Sequence, residues 1–592
     1  MTHSDSKVET DRRMLEEAQS KGLGGKISAY AKLSGPGWLQ SAITLGGGSL
    51  ASSLFLGILG GYTLLWVQPF AMILGIIMLS AIGYVTLSTG KRPFHAIRDH
   101  VNPALAWGWA LAVAAANIVW CMPQFSLAYG VVSQNLLPGM FGSEGAITQA
   151  GGENGNYLSM AIVSGSLLVI CTAITWSYDR GGWGIKMYER LLKILVALIV
   201  LCFFGVVGVL TARGVIDWGA VSRGIIPDFG QFWRPAASFT PLLEQLDESS
   251  REYWSKLIVS KQQDVLFSAA ATAVGINMTF LFPYTLLKKG WTREFRGLTT
   301  FDLSTGMFIP YVLATGCVVI AAAAQFHTNV TEDFAVVDGK LVAPADLAGA
   351  YDGLLMDRLH AKDPSTKDTL NNAAPADAAN VKAEMLNTFL SESGMPQQHI
   401  AAALVNRKAK HLSGALAPLT GPFIADIVFG LGVLAMALST ISLLMLISGF
   451  VFCEMFGFEL GGTAHRYGTL IAGVIGAFGP YLWSGASFYL AVPTSVFGLA
   501  LLPFAYITFF LLMNQKSLLG DDIPKGGSRL VWNVLMLLAA STATAASLYV
   551  VYNKTQGYFG SGWYGLGGIA ALLLLIIVVH FFNKSETKDA VA

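Results

Sequence analysis

Apolar residues in this chain come in long unbroken runs. They show neither the alternation of a half-buried strand nor the one-sided stripe of a surface helix. A helix needs about 20 such residues to cross a bilayer. Twelve runs qualify, at 38–57, 63–88, 105–137, 157–176, 189–211, 265–287, 303–325, 421–452, 467–484, 488–513, 529–551 and 564–583. The pattern predicts an all-α polytopic membrane protein with twelve transmembrane helices. Basic residues collect in loops on the cytoplasmic side. Here they follow runs 2, 4, 6 and 10 (Lys91, Arg92, Arg98; Arg180, Lys186; Lys288, Lys289, Arg293, Arg296; Lys516, Lys525), while the loops after runs 1, 3 and 9 hold none. Both termini are thus expected in the cytoplasm.

The polar intervals divide the chain. Residues 1–34 mix charges and lack the apolar stretch of a secretory leader, so they read as a cytoplasmic tail. Residues 35–212 hold runs 1 to 5. Residues 213–264 form an outer amphipathic segment leading through PLLEQLDESSREYWSKLIVSKQQ into run 6, and 265–326 hold runs 6 and 7. Residues 327–420 are an extracellular insertion with helix-forming pieces such as ADAANVKAEMLNTFLSESG, read as a small helical cap. Runs 8 to 10 occupy 421–514, runs 11 and 12 occupy 515–583, and 584–592 are a short cytoplasmic tail.

Composition agrees with this division. Of 592 residues, 53% are hydrophobic and only 13% charged, which excludes a soluble multidomain chain. A net charge of +1 leaves no concentrated basic face for nucleic acid. The five cysteines lie inside apolar runs and read as packed thiols. His95, His100, His465 and His580 fall in loops or at run ends without ligand spacing. Asn329-Val-Thr is a glycosylation triplet of a kind frequent by chance. No P-loop, nucleophile elbow, HExxH or CxxC pair is present, so an enzyme is not expected.

Two runs break the pattern. Run 1 contains TLGGGSLASS at 44–53, and run 6 contains AVGINMTFLFPYTLLKKG, with Gly275, Asn277 and Thr279 ahead of Pro283. Glycine and proline weaken a helix, and opened backbone is tolerated in lipid only where it faces protein, ligand or water. Runs 1 and 6 each begin a five-run group. Such a matched pair points to the solute site of an inverted-repeat transporter.

The sequence resembles the NRAMP family of divalent-metal transporters, solute carrier family 11. The resemblance is carried by GPGWLQSAITLGGGSLASS in run 1, GYTLLWV, TGK and IRDH in and after run 2, YERLLKILVALIV in run 5 and ALLPFAYITFFLLMNQKSLLG in run 10. It implies a LeuT-type arrangement of five plus five inverted helices with two added at the end. It also implies where a metal site would lie, and there this chain departs. The family's Asp-Pro-Gly-Asn is matched by Gly46, Gly47, Gly48 and Ser49. Its Met-Pro-His is matched by Phe282, Pro283 and Tyr284, and its span-10 glutamine by Ser495. The acids of its third span have no counterpart between Trp107 and Leu137.

A carboxylate-free site changes the expected cargo. The cost of burying an ion grows with the square of its charge, so a bare dication needs about four times the compensation of a monovalent ion. Two half-helix N-termini supply about +1 together, which suits one monoanion on a glycine-rich backbone. The site expected from sequence is therefore Gly46, Gly47, Gly48, Ser49, Asn277, Thr279, Phe282, Tyr284 and Ser495, with no catalytic residue and no transition metal. Hydroxyls at Ser439, Thr440 and Ser442 in run 8 are the candidate holders of a coupling sodium ion, as LeuT-type proteins place one there. The resulting expectation is a secondary active transporter of a small monovalent anion, first bicarbonate, sodium-coupled, in a bacterial inner membrane. It needs the lipid bilayer but no other cofactor and no obligatory protein partner. The alternative is an NRAMP-related carrier of a largely hydrated Mg²⁺ or Mn²⁺. A non-transporting signalling membrane protein comes third, because only about nine residues follow the last run.

Overall fold

The computed structural model describes residues 3–178, 182–328, 334–374, 377–405, 417, 421, 423–482 and 491–589. It is helical almost throughout. Eleven helices among the described residues are long and apolar enough to cross a membrane. The ninth predicted run is the exception: its helix, Thr463–Ala477, has 15 residues. At 1.5 Å per residue it falls short of a roughly 30 Å hydrocarbon layer by itself.

Local sequence explains the helix ends. Pro36, Pro93 and Pro103 each open a helix, where the missing N–H costs nothing. Asn102 caps the third span, its Oδ1 accepting from the Ala104 amide at 2.7 Å. Gly90 closes the second span and Gly457 the eighth, both at positive φ.

Both predicted breaks are present, with corrected positions. The first span is Pro36–Thr44 followed by Gly47–Gly60, so only Leu45 and Gly46 leave the helix. Gly47 and Gly48 already form the first turn of the second half-helix. The sixth span is Glu248–Ala273 followed by Ile276–Lys288, with Val274 extended at φ −141°, ψ 102° and Gly275 at φ −78°, ψ 159°. Pro283 does not interrupt it. The helix runs through that proline, as membrane helices allow when neighbours satisfy the freed backbone.

The outer half-helix Gly47–Gly60 packs against Glu248–Ala273 and the seventh span, Phe308–Phe326. The third span, Pro103–Val131, lies against the eighth, Phe429–Phe456, and the tenth, Ala491–Met513. These elements enclose both breaks. The twelfth helix, Trp563–Asp589, instead turns Leu573, Leu574 and Ile577 outward to lipid.

Outside the membrane, His3–Ser20 and Gly22–Leu33 show the first 34 residues to be largely helical. The predicted lead-in to span 6 is helical from Glu248, within one continuous 26-residue helix. The insertion holds helices Ala345–Lys362, Ser365–Asn372 and Ala378–Leu404, the last bent at Gly394. It also holds a hairpin, Ala335–Val337 with Lys340–Val342, which the helical-cap reading missed. Asn329-Val-Thr lies outside the described residues.

Candidate functional site

A cavity of about 50 Å³ opens between the two breaks. A single water needs roughly 10–15 Å³ measured this way, so the space suits three or four waters or one small solute. Its wall comes from five spans: Gly46, Gly48 and Ser49; Trp120 and Gln124; Thr272, Gly275, Asn277 and Met278; Thr440; and Thr494 and Ser495. None of these carries a charge. Among the described residues no group of three His, Cys, Asp or Glu side chains could hold a metal ion.

The glycines are required by space rather than by an unusual backbone, since none of Gly46, Gly47, Gly48 and Gly275 has positive φ. A methyl at Gly46 would overlap Thr440 Oγ1. At Gly48 it would lie 2.9 Å from Thr272 Cγ2 and 3.0 Å from Ser495 Oγ, and at Gly275 2.6 Å from the Trp120 ring.

The polar groups divide by direction. The Gly47 amide donates to Gln124 Oε1 at 2.8 Å. Helix geometry leaves the first-turn amides of Gly48 and Ser49, and of Ile276 and Asn277, without a helical acceptor. Oxygen and sulfur acceptors come from the ends of the first half-helices and beside them. Ser49 Oγ donates to the Thr44 carbonyl, and Thr44 Oγ1 donates to Met278 Sδ at 3.4 Å. Thr440 Oγ1 is buried without a hydrogen-bond partner among the described residues. The wall can therefore offer both donors and neutral acceptors to a solute.

The structure brings Gly46, Gly48, Ser49, Asn277 and Ser495 together as the sequence suggested, and separates the others. Gly47 turns to Gln124 instead of the cavity. Thr279 Oγ1 accepts from Trp109 Nε1 at 3.0 Å on the far side of its helix. Phe282 packs near Gly83 of the second span. Tyr284 is stacked between Phe280 and Phe450, with ring centroids 4.7 and 5.7 Å away. The reason is the position of the break: nine residues of helix carry Tyr284 about 13 Å from Gly275. At the break itself stands a methionine, Met278, where the sequence had suggested Phe282.

The hydroxyl group of candidates in span 8 also divides. Ser439 Oγ donates to the Ala42 carbonyl of span 1 at 3.0 Å. Thr440 faces the cavity itself. Ser442 bonds the Leu438 carbonyl of its own helix, and its own carbonyl accepts from Thr175 of the fourth span. Sequence reasoning missed Trp120, Gln124, Thr272 and Met278. The legible signal was Gln124, a long amide beside Pro123 inside an apolar run. A search confined to charged groups passes over it.

Two broken helices, each opening a five-helix group and meeting at an uncharged cavity inside the membrane, define a secondary transporter of the LeuT-type inverted-repeat class. The family profile described as natural resistance-associated macrophage protein-like matches residues 37–355 and 390–553, and the chain belongs to this NRAMP family. The stretch between the two matched segments, 356–389, falls inside the insertion at 327–420. Structures of a manganese transporter from Eremococcus coleocola resemble it in fold. The H236A mutant superposes with a TM-score of 0.59 at 14% identity, covering 94% of this chain and 95% of that one. The form in complex with an aromatic bis-isothiourea compound gives 0.54 at 15% identity, covering 94% of each. No curated protein sequence matches at a significant level.

Proposed function

We propose that this NRAMP-type transporter carries a divalent cation of the Mn²⁺ or Mg²⁺ class through the cavity between its breaks, by alternating access, with part of the ion's water shell retained. The observation that carries this reading is Met278: it sets a thioether at the break of span 6, beside Asn277, Gln124 and Thr440. Family membership and the manganese-transporting relative of the same fold support it. Neutral oxygens cannot strip a dication, because hard dications normally bind through one or two carboxylates. The roughly three-water volume lets the ion stay hydrated. Weak affinity and weak discrimination between Mg²⁺ and Mn²⁺ follow, apart from the preference that soft sulfur gives Mn²⁺.

One specific observation favours a second reading. The lining lacks carboxylates, and two half-helix N-termini end at it with first-turn amides that have no helical acceptor. That suits a small monovalent anion such as bicarbonate, with sodium held near Ser439 and the Ala42 carbonyl. Proteoliposome flux separates the two. Saturable Mn²⁺ or Mg²⁺ uptake, weakened in Met278→Ala for Mn²⁺ more than for Mg²⁺, is the expected result. Bicarbonate uptake driven by an inward sodium gradient, with no cation flux, would reverse the order of the readings.

A further inference from the structure

The second half-helix of span 6, Ile276–Lys288, touches the solute at one end and a buried ionisable cluster at the other. Asn277 and Met278 line the cavity. Below them runs a column of rings: Phe280 stacks on Trp109 at 4.6 Å and on Tyr284 at 4.7 Å, and Tyr284 stacks on Phe450. Phe450 in turn lies 5.0 Å from His465. This column closes the cavity on the side marked by the basic loops. At its foot the Tyr284 hydroxyl faces the carboxylate of Glu454, at the end of span 8.

Glu454 has a side chain with 0% exposure. Arg92 Nη1 lies 3.3 Å from Oε1, and His95 Nε2 lies 3.5 Å from Oε2. Burial, then the Arg98 charge, holds the His95 imidazole below its ordinary range. At neutral pH it is therefore uncharged, and Arg92 is the cation that pairs with the carboxylate. Oε2 of Glu454 and the hydroxyl of Tyr284 are both buried, and the hydroxyl is near enough to hydrogen-bond the carboxylate. Among the described residues, Arg98 and Asp99 on the helix Pro93–His100, His465 on the ninth helix, and Tyr178 beside Phe450 with Lys288 over its ring also lie around this cluster. The carboxylate thus sits between a cation beside the basic loop and a hydroxyl on the solute-bearing half-helix.

We propose that Glu454 is a protonation switch, and that its ionisation state sets whether the half-helix Ile276–Lys288 is latched. As the carboxylate, Glu454 holds Arg92 and attracts the Tyr284 O–H, so the half-helix is pinned to span 8. One proton converts –COO⁻ to –COOH, removes the charge that both partners bind, and frees the half-helix to move away. The proton enters and leaves on the side of the basic loops. This rests on the carrier reading but not on which solute is carried.

The test is hydrogen exchange by mass spectrometry on the full-length protein in lipid nanodiscs, at about pH 8 and about pH 5.5, with rates corrected for intrinsic pH dependence. In the parent protein, amides of 276–288 exchange about tenfold faster at the lower pH, the size expected when a charged hydrogen bond is lost. Glu454→Gln exchanges at the faster rate at both pH values. Tyr284→Phe, which keeps the ring stack, shows faster exchange at about pH 8 and a smaller response to acid. Parent-like protection and pH response in Glu454→Gln overturn the proposal. So does loss of the response in His95→Gln with Glu454→Gln unchanged, which makes His95 the site. Because this readout needs no solute, absent transport flux leaves it standing and counts only against the carrier reading.

Discussion

At the residue scale, the side chains that are missing shape the site as much as those present. Gly46, Gly48 and Gly275 sit where any β-carbon meets Thr440, Thr272 or Trp120. Gly48→Ala places a methyl against Thr272 and Ser495, inside a space of about 50 Å³. Overpacking of this kind costs about 1–3 kcal/mol. The expected outcome is loss of most solute flux with a modest fall in thermal midpoint, measured on the same preparation by proteoliposome uptake and by melting in detergent. Unchanged flux would place the solute elsewhere. The first two of these glycines were legible as a break in an apolar run. Their partners were not, because Thr440 lies almost 400 residues away in sequence.

At the element scale, the first half-helix of span 1 is held by a residue from the helix Arg296–Asp302, which leads into span 7. Asp302 Oδ2 accepts from the Gly35 and Gly37 amides at 3.1 and 2.6 Å, and Ser34 Oγ donates to Oδ1. A carboxylate thus caps a buried helix start in place of a local N-cap, where it also complements the helix dipole. The wide turn Leu303–Met307 follows directly and interrupts the regular helix beside this contact. Asp302→Asn keeps the size and loses the charge. It should cost about 2 kcal/mol, since charged hydrogen bonds are worth about 1.5–3 kcal/mol, and a denaturant or thermal midpoint shift measures it. Flux should fall as well, because Pro36–Thr44 carries the cavity residues at its far end. Asp302 directly precedes the seventh apolar run, but its partners depend on how spans 1 and 7 meet.

At the scale of the whole molecule, the insertion at 327–420 is fastened to the transport core. Trp254 Nε1 donates to Gln397 at 2.9 Å, and Arg358 Nη2 donates to Ser250 Oγ at 2.9 Å. His327, at the entry to the insertion, has Nδ1 2.8 Å from the Ile58 carbonyl at the outer end of span 1. Burial lowers the pKa of His327 below its ordinary value, against the opposing effect of that carbonyl. A histidine with a depressed folded pKa binds fewer protons folded than unfolded. Its stabilising contribution is therefore complete above about pH 6.5 and is lost as pH falls below that value. The thermal midpoint of the parent protein should drop between about pH 7.5 and about pH 5.5, and His327→Gln should flatten that drop. An equal drop in the variant would remove His327 from the account.

The sequence by itself determined the membrane class, the number of apolar runs, the pairing of breaks in spans 1 and 6, and the absence of charge near those breaks. These are one-dimensional properties. Lipid cannot hydrogen-bond a backbone, so run length and local glycine speak directly. Tertiary structure decided which faces line the cavity. Each residue turns a helix by about 100°, so an error of a few residues in locating the second break exchanged Met278 for Phe282 and sent Tyr284 to the Glu454 cluster. Gln124 entered the site only because span 3 packs its face against Gly47, and the short ninth helix emerged only among its neighbours. Helix rotation and packing are set by contacts between distant segments, and those are the terms that a reading along the chain does not contain.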